Sequence, residues 1–416
     1  MVPYRRFGRP LAWHQRALWG LVRLLRPLMG IAVGGVERIP RSGPAVVIAP
    51  HFAFLDAFPY LSLSLPRPAR FLASAYFVFA NRILCRLMYV GGVIPVWRHR
   101  PDPTGVRKAL RALARGEVLA LFPEGGRRWS GAGVPVMPSA AKLLARLQVP
   151  IYVVSLEGMY DVWPRWARRG KPRRVRVGIM GELRFPPGTV RGAERLPSTE
   201  RWWTSVYQSG GKVDVRTACK TIRLALAEAA GGEPRRLDLS NPQRFTCLPS
   251  LLCFCPDCLH PGTVARGLAL SCPGCDARWT PAPDGRLANA SGKTPPEGLE
   301  QLFFRMLDGL ADRARHCLTL VEHVEVRNAP EAAGSDTLRN FVPGTALLSR
   351  RGLELTAGGH SHVLPVEAAA AGVMEGTTML ELHHDGYAIQ LRSSGALRLY
   401  LGGRALAGLP AREVLA

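Results

Sequence analysis

Residues 45–56, Ala45-Val46-Val47-Ile48-Ala49-Pro50-His51-Phe52-Ala53-Phe54-Leu55-Asp56, decide the fold. A short apolar run bounded by a turn residue suits a strand buried on both faces. Ala45–Ala49 is that strand, and it stops just before Pro50-His51. Working outward, residues 41–185 alternate such runs with amphipathic stretches, as α/β domains do. Val93–Trp97, Glu117–Phe122 and Ile151–Leu156 read as further strands, and Val175–Met180 closes the sheet. Asp102-Pro103 opens a helix, with Asp as cap and Pro at the first position. Val106, Leu110 and Leu113 line its apolar face, and Gly116 ends it. Ser139–Leu147 and Arg216–Ala229 read as helices.

The strand ends carry the polar chemistry. His51 and Asp56 form a His-x4-Asp pair. On a straight helix, five residues turn the side-chain direction by about 140°, so the two would not face each other. A loop-to-helix transition after Pro50 brings them together. A histidine held by a carboxylate is a general base suited to activating a hydroxyl, because the carboxylate fixes the tautomer and stabilises the imidazolium. Phe122-Pro123-Glu124-Gly125-Gly126-Arg127-Arg128 also follows a strand, and its glycines and arginines suit a phosphate or other anion. Gly91-Gly92-Val93-Ile94-Pro95-Val96-Trp97-Arg98 places an arginine at a strand end, and Val149-Pro150-Ile151-Tyr152-Val153-Val154 opens the next strand.

Together these four stretches resemble the motifs of the glycerolipid acyltransferase family, over about residues 30–185. The family's Asn before the histidine is Pro50 here, its Thr after Phe-Pro-Glu-Gly is Gly126, and the second Pro of its fourth motif is Val153. The resemblance implies His51 as base and Asp56 as its orienter. It implies that Arg98, Glu124, Gly125 and Arg127 bind the acceptor's phosphate and polar head. The implied reaction moves a fatty acyl group from acyl-CoA or acyl-carrier protein to a hydroxyl of a lysoglycerolipid such as 1-acylglycerol-3-phosphate. No Gly-x-Ser-x-Gly elbow is present, which favours direct transfer over a serine acyl-enzyme. Two alternatives stand beside this reading. One is an acyltransferase for another acceptor, such as an aminolipid, a glycolipid or another lysophospholipid. The other is a non-enzymatic basic zinc-ribbon adaptor.

Charge is divided unevenly along the 416 residues. Residues 1–240 hold 39 basic and 14 acidic residues, whereas 241–416 hold 16 and 17. The basic part should therefore meet an anionic partner, and the near-neutral remainder argues against nucleic acid at the cysteine-rich segment within it. Pulling a long acyl chain into water costs on the order of 10 kcal/mol, so an enzyme of lysolipids should work at an anionic membrane surface. Residues 11–33 fit such docking, with Leu11, Leu18, Leu21, Val22, Leu25 and Leu28 at helical spacing beside Trp13, Trp19, Arg16, Arg23 and Arg26. The cluster Arg165, Arg168, Arg169, Lys171, Arg173, Arg174 and Arg176 suits lipid phosphates or the CoA nucleotide, or is simply solvated. No secretory signal and no apolar run of about 18 residues is read, so the expected location is cytoplasmic, peripheral on the inner face of the cell membrane.

Cys255-x2-Cys258 and Cys272-x2-Cys275 carry the spacing of a zinc ribbon. Four thiolates leave no open position, which makes the zinc structural. Cys253 and His260 are reserve ligands, and Cys85, Cys219, Cys247 and Cys317 are packing residues. Residues 286–298 read as a polar linker and Leu299–Val326 as one long amphipathic helix. Thr378–His383, Tyr387–Leu391 and Ala396–Leu401 read as strands of a small antiparallel unit. The expected fold is thus an α/β mixed sheet flanked by helices, then a four-cysteine zinc ribbon and a small β-rich C-terminal domain. The expected divisions are 1–40 interfacial, 41–240 acyltransferase-like, 241–285 ribbon and 286–416 helix plus β domain.

Overall fold

The structure is a computed structural model. It describes residues 4–9, 13–24, 26–53, 56, 65–79, 81–97, 102–171, 174–185, 194–196, 201–203, 213–230, 237–290, 295–328, 341–375, 377–384 and 387–409. Nine described strands form the first sheet: β1 (Ile31–Gly34), β2 (Ala45–Ile48), β3 (Ala69–Ser74), β4 (Ile94–Val96), β5 (Val118–Leu121), β6 (Ile151–Glu157), β7 (Val175–Arg184), β8 (Glu194–Leu196) and β9 (Arg201–Trp203). Their order is β4-β3-β5-β2-β6-β7-β9-β8, and β1 also lies on β7. Strands β4, β3, β5, β2 and β6 run parallel, and β7 runs antiparallel to β6. The α/β class with a mixed sheet is as the sequence predicts.

Why β2 and β5 read so clearly follows from their burial. Every residue of both is buried, because apolar layers cover both faces. Val46, Ile48, Leu119 and Leu121 face one layer, with α3 (Pro103–Ala114), α4 (Pro138–Leu147) and α5 (Val215–Ala229). Ala45, Val47, Val118 and Ala120 face the other, whose core continues through Phe254 and Phe303 to Leu399. Two further helices of the first part are α1 (Trp13–Leu24) and α2 (Arg82–Val90), beside short helical turns at Ala75–Val78 and Met159–Val162.

Two local expectations are corrected here. Val175–Met180 does not close the sheet: β7 is longer and interior, pairing with β1 and β9 on the side away from β6. Residues 31–34, inside the segment expected to be interfacial, are thereby a sheet strand. On α3, Val106 and Leu110 are exposed, while Gly105, Ala109, Ala112 and Leu113 are buried. The helix lies too close for large side chains, since a Cβ on Gly105 would stand 2.9 Å from Val96.

Beyond residue 240, β10 (Val264–Arg266), β11 (Ala269–Ser271), β12 (Arg278–Pro281) and β13 (Leu287–Asn289) make a four-stranded antiparallel sheet. Strand β13 lies within the expected linker. Next come α6 (Leu299–Ala314), β14 (Leu320–Asn328), β15 (Val342–Ser349), β16 (Gly352–Ala357), β17 (His360–Leu364), α7 (Val366–Ala370), β18 (Val373–Glu375), β19 (Met379–His384), β20 (Tyr387–Arg392) and α8 (Ala396–Leu406). The seven strands order as β17-β16-β15-β14-β20-β19-β18, all antiparallel.

Leu299–Val326 is therefore not one helix. Its period changes from about 3.6 to 2 after Ala314: Leu320, Glu322, Val324 and Val326 are buried, and Val321 and His323 exposed. Ala396–Leu401 is helix, not strand. Ala396, Leu397, Leu399, Tyr400 and Leu401 are all buried, and a run with only Arg398 polar carries no period that separates the two.

Candidate active site and metal centre

Strands β2 and β5 are adjacent and parallel, with Ile48 opposite Leu121, so the residues that follow them emerge side by side. His51 and Glu124, 73 positions apart, meet there: the His51 N–H donates to Glu124 Oε2 at 3.0 Å. In return, the Arg128 N–H donates to the His51 carbonyl at 2.8 Å. Such crevices outside the carboxyl ends of parallel strands are where open α/β sheets bind ligands.

His51 and Asp56 do come together. His51 Nδ1 lies 2.9 Å from Asp56 Oδ2, and that oxygen also accepts the N–H groups of Phe52 at 2.5 Å and Ala53 at 2.9 Å. Asp56 is fully buried, whereas the His51 side chain keeps 21% of its surface. Engagement of Nδ1 leaves Nε2 as the nitrogen for a substrate. The imidazole stacks on Phe122, with centroids 4.1 Å apart. Burial is the largest influence on its pKa and lowers it below the ordinary histidine value; Asp56 pulls upward, and Arg127 adds to the lowering. The ring is thus biased toward the neutral form a base requires.

The second loop is built around a buried ion pair. Arg128 Nε donates to Glu124 Oε1 at 3.0 Å, and its Nη2 to the same oxygen at 2.5 Å. Both side chains are buried, and Arg128 packs over the Phe52 ring at 4.9 Å. Glu124 thus bonds to both Arg128 and the His51 backbone. Gly125 has φ +68°, and a Cβ there would stand 2.0 Å from Met137 Sδ, so only glycine fits. Arg127 is half-buried. Arg98 lies outside the described residues. Its neighbour Trp97 donates its N–H to Asp102 Oδ2 at 3.1 Å, the same carboxylate that caps α3 through Gly105. The fourth stretch runs alongside the site strand: the Pro150 carbonyl accepts Val46 N–H at the far end of β2, and Val153 of β6 lies opposite Ile48, three residues before His51.

Sequence reading took Arg128 only as one of two arginines suited to an anion and not as the partner of Glu124. The signal for that pairing was the i,i+4 spacing. The basic run after Trp163 divides: Arg165 is half-buried, Arg168, Arg169 and Arg174 are exposed, and Arg173 lies outside the described residues.

Exposed apolar side chains gather on the basic first part. Trp13, Leu21, Leu24 and Leu28 are exposed on α1 and the turn after it, as are Ile83 and Leu87 on α2. The α2 residues line an open groove of about 590 Å³ with Asn81, Arg82 and Leu84. Among the described residues, no helix is long and apolar enough to cross a membrane.

Cys255, Cys258, Cys272 and Cys275 bring their sulfurs within 4.8 Å of one another and can hold a metal ion. Cys255 and Cys275 Sγ are 3.7 Å apart, and Cys258 and Cys272 Sγ 3.6 Å. Thiolates about 2.3 Å from one zinc stand about 3.8 Å apart at the corners of a tetrahedron, so the set fits. The two knuckles repeat each other. Asp257 N–H donates to Cys255 Sγ, as Gly274 N–H does to Cys272 Sγ. Leu259 and Asp276, each following a second cysteine, have φ of 59° and 58°. Left-handed backbone is costly for leucine, and its recurrence at matched positions marks a turn imposed by the sulfur cluster. Cys253 and His260 are not in the cluster. Cys85 and Cys247 are buried as packing residues would be, but Cys317 is exposed.

Residues 30–157 match the Acyltransferase family. The chain is 26% identical over 166 residues to a chloroplastic 1-acyl-sn-glycerol-3-phosphate acyltransferase of Brassica napus, covering 39% of this chain and 46% of that protein. It is 22% identical over 129 residues to the 1-acyl-sn-glycerol-3-phosphate acyltransferase of Bacillus subtilis (strain 168), covering 31% and 63%. The chain thus spans about half to two-thirds of the length of these relatives. A crystal structure of the 1-acyl-sn-glycerophosphate acyltransferase PlsC from Thermotoga maritima is similar at 20% identity and a TM-score of 0.35, covering 42% of this chain and 73% of that one.

Proposed function

We propose that the protein is an acyltransferase of the membrane surface, moving a fatty acyl group from an acyl thioester to a hydroxyl of a lysoglycerolipid such as 1-acylglycerol-3-phosphate. The observation that carries this is the His51–Asp56 pair at the end of β2, held beside the Glu124–Arg128 loop at the end of β5. An alcohol is a weak nucleophile until a base takes its proton. His51 Nε2 accepts that proton as the acceptor oxygen attacks the thioester carbonyl. Asp56, through Nδ1, holds the tautomer and stabilises the imidazolium. The tetrahedral intermediate collapses with loss of the thiolate, which the imidazolium reprotonates. Arg127 and Arg98 supply positive charge for the acceptor phosphate. Glu124 and Gly125 act one step back, shaping the loop rather than touching the substrate.

The exposed Trp and Leu side chains of α1, beside arginines, suit the headgroup boundary of an anionic membrane. We assign the protein to the cytoplasmic face of the cell membrane as a peripheral enzyme. The four-cysteine cluster takes zinc, which would supply stability to residues 241–290 and no step of the reaction. The test is transfer of a radiolabelled acyl group from acyl-CoA, and separately from acyl-carrier protein, to 1-acylglycerol-3-phosphate and to uncharged lysolipids. A phosphate-dependent product is expected. No acyl product with any acceptor refutes the reading.

A further inference from the structure

Between β6 and β7, Arg165 reaches two distant parts of the chain at once. Its guanidinium lies over the Trp129 ring at 4.0 Å, and its Nη1 donates to the Arg127 carbonyl at 3.4 Å. Its Nη2 donates to the carbonyl of Met374, in β18 at the edge of the C-terminal sheet and 209 residues away. Arg127 and Trp129 flank Arg128, whose ion pair with Glu124 fixes the backbone at His51. One side chain therefore links the loop after β5 to a domain the first sheet does not contain.

The same loop is braced from a second direction. Tyr160 O–H donates to the Trp129 carbonyl at 2.6 Å, and Trp166 Nε1 donates to the Tyr160 oxygen at 2.9 Å. Gly131 approaches so closely that a Cβ would stand 3.2 Å from the Tyr160 ring. These contacts, all buried, hold Trp129 in place. Arg165 is what relates that ring to β18.

We propose that Arg165 is a positioning residue that makes the C-terminal domain a working part of the acceptor site, by fixing the Arg127 backbone against β18. It rests on the acyltransferase reading for its effect on catalysis, but not for the latch itself. A planar guanidinium can stack on one ring while its donors reach two carbonyls, which an ammonium cannot reproduce. Its consequence falls on binding of the anionic acceptor, since the residue it holds is the arginine assigned to the phosphate. The thioester donor should be little affected.

The test uses the full chain with Arg165→Ala and Arg165→Lys, and Arg315→Ala as control. Arg315 pairs with Asp312 at 2.6 Å at the end of α6, away from the loop after β5. For Arg165→Ala, the KM for 1-acylglycerol-3-phosphate should rise about tenfold, as expected for loss of a hydrogen bond from a charged group. The KM for acyl-CoA should stay within about twofold, Arg165→Lys should recover part of the loss, and Arg315→Ala should leave both constants unchanged. Independently of activity, amide exchange should speed up in both 124–131 and 372–375 of Arg165→Ala. Faster exchange in both segments of a protein inactive on every lysolipid would uphold the latch and refute the acyltransferase reading. Unchanged exchange, or an active variant whose acceptor KM is that of the wild type, overturns the proposal. So does an equal fall in kcat for all substrates with a lowered melting temperature, which marks a merely structural arginine.

Discussion

The two large sheets of this protein are connected by opposite rules, and their polar groups are used accordingly. In the first, parallel strands β2, β4 and β5 all end on the same side, so residues far apart in sequence converge there. In the second, antiparallel strands send successive loops to alternate ends, and polar side chains pair across the strands instead. Glu381 accepts from Gln390 Nε2 at 2.6 Å and lies 2.8 Å from His383 Nε2. Each half has an arginine–carboxylate pair, fully buried in the first and half-buried in the second. Glu124–Arg128 shapes the backbone at a histidine, whereas Glu322–Arg398 fastens α8 to β14 with bonds of 2.5 and 2.7 Å. The same chemistry organises a site in one half and packing in the other.

The sharpest way to separate the halves is to remove the metal ligands. Replacing Cys255 and Cys258 with serine should abolish zinc binding, forfeiting about 10–16 kcal/mol of apparent binding free energy. Metal analysis should fall from one zinc per chain to none, and residues 241–290 should become sensitive to protease. The first sheet has its own layer of helices and should stay protected. Protease cutting throughout residues 45–157 would show instead that the shared core, running from Val47 through Phe254 to Leu399, makes the halves one folding unit.

Next is His51→Ala, which should lower turnover by about 10²–10⁴-fold, the usual effect of losing a general base, without altering zinc content. In the wild type, turnover should rise with pH through the folded-state pKa of His51, which lies below 6.5, and then level off. The sign for stability follows from the same shift. A histidine whose pKa is depressed on folding contributes stability above pH 6.5 that is lost as pH falls through the folded value. His51→Ala should flatten that part of a melting-temperature profile. A folded mutant with wild-type turnover would remove His51 from the mechanism.

What was legible in the sequence follows the same division. Ala45–Ile48 and Val118–Leu121 were plain because strands buried on both faces leave unbroken apolar runs. The His51–Asp56 meeting could be anticipated only as a departure from helix geometry. That Glu124 turns inward could not, because facing depends on Arg128 and on the register of β2 against β5. The C-terminal half was harder. Residues 299–326 hold a helix and a strand whose apolar positions happen to join, and the start of α8, Ala396–Leu401, is buried at nearly every position. Cysteine spacing stayed readable there because ligation constrains sequence more tightly than packing does.

The two pairs give a matched test. Glu124→Gln leaves the buried Arg128 without its counter-charge, at a cost of about 3–5 kcal/mol, and Glu322→Gln does the same to the half-buried Arg398 at a smaller cost. Both should lower the melting temperature. Only Glu124→Gln should also lower turnover below what its folded fraction explains, because only that carboxylate holds the His51 N–H. Equal specific activity per folded molecule in the two variants would erase the functional distinction between the halves.

The smallest effects concern charge at the membrane. Residues 1–240 carry the whole basic excess, and α1 displays Trp13 and Leu24 to solvent near Arg16. Each arginine near an anionic surface contributes about 1 kcal/mol, screened beyond about 10 Å at 0.1 M salt. Arg16→Gln should therefore reduce binding to anionic vesicles about fivefold at low salt, and less at high salt. Arg278→Gln, exposed on β12 in the near-neutral half, should change nothing. Trp13→Ser removes apolar contact rather than charge, so its loss of binding should persist in salt. Sedimentation with vesicles of graded anionic content reads all three. A salt response that is as large for Arg278→Gln as for Arg16→Gln would mean that the protein meets the surface with its whole body, and that the charge division between the halves does not orient it.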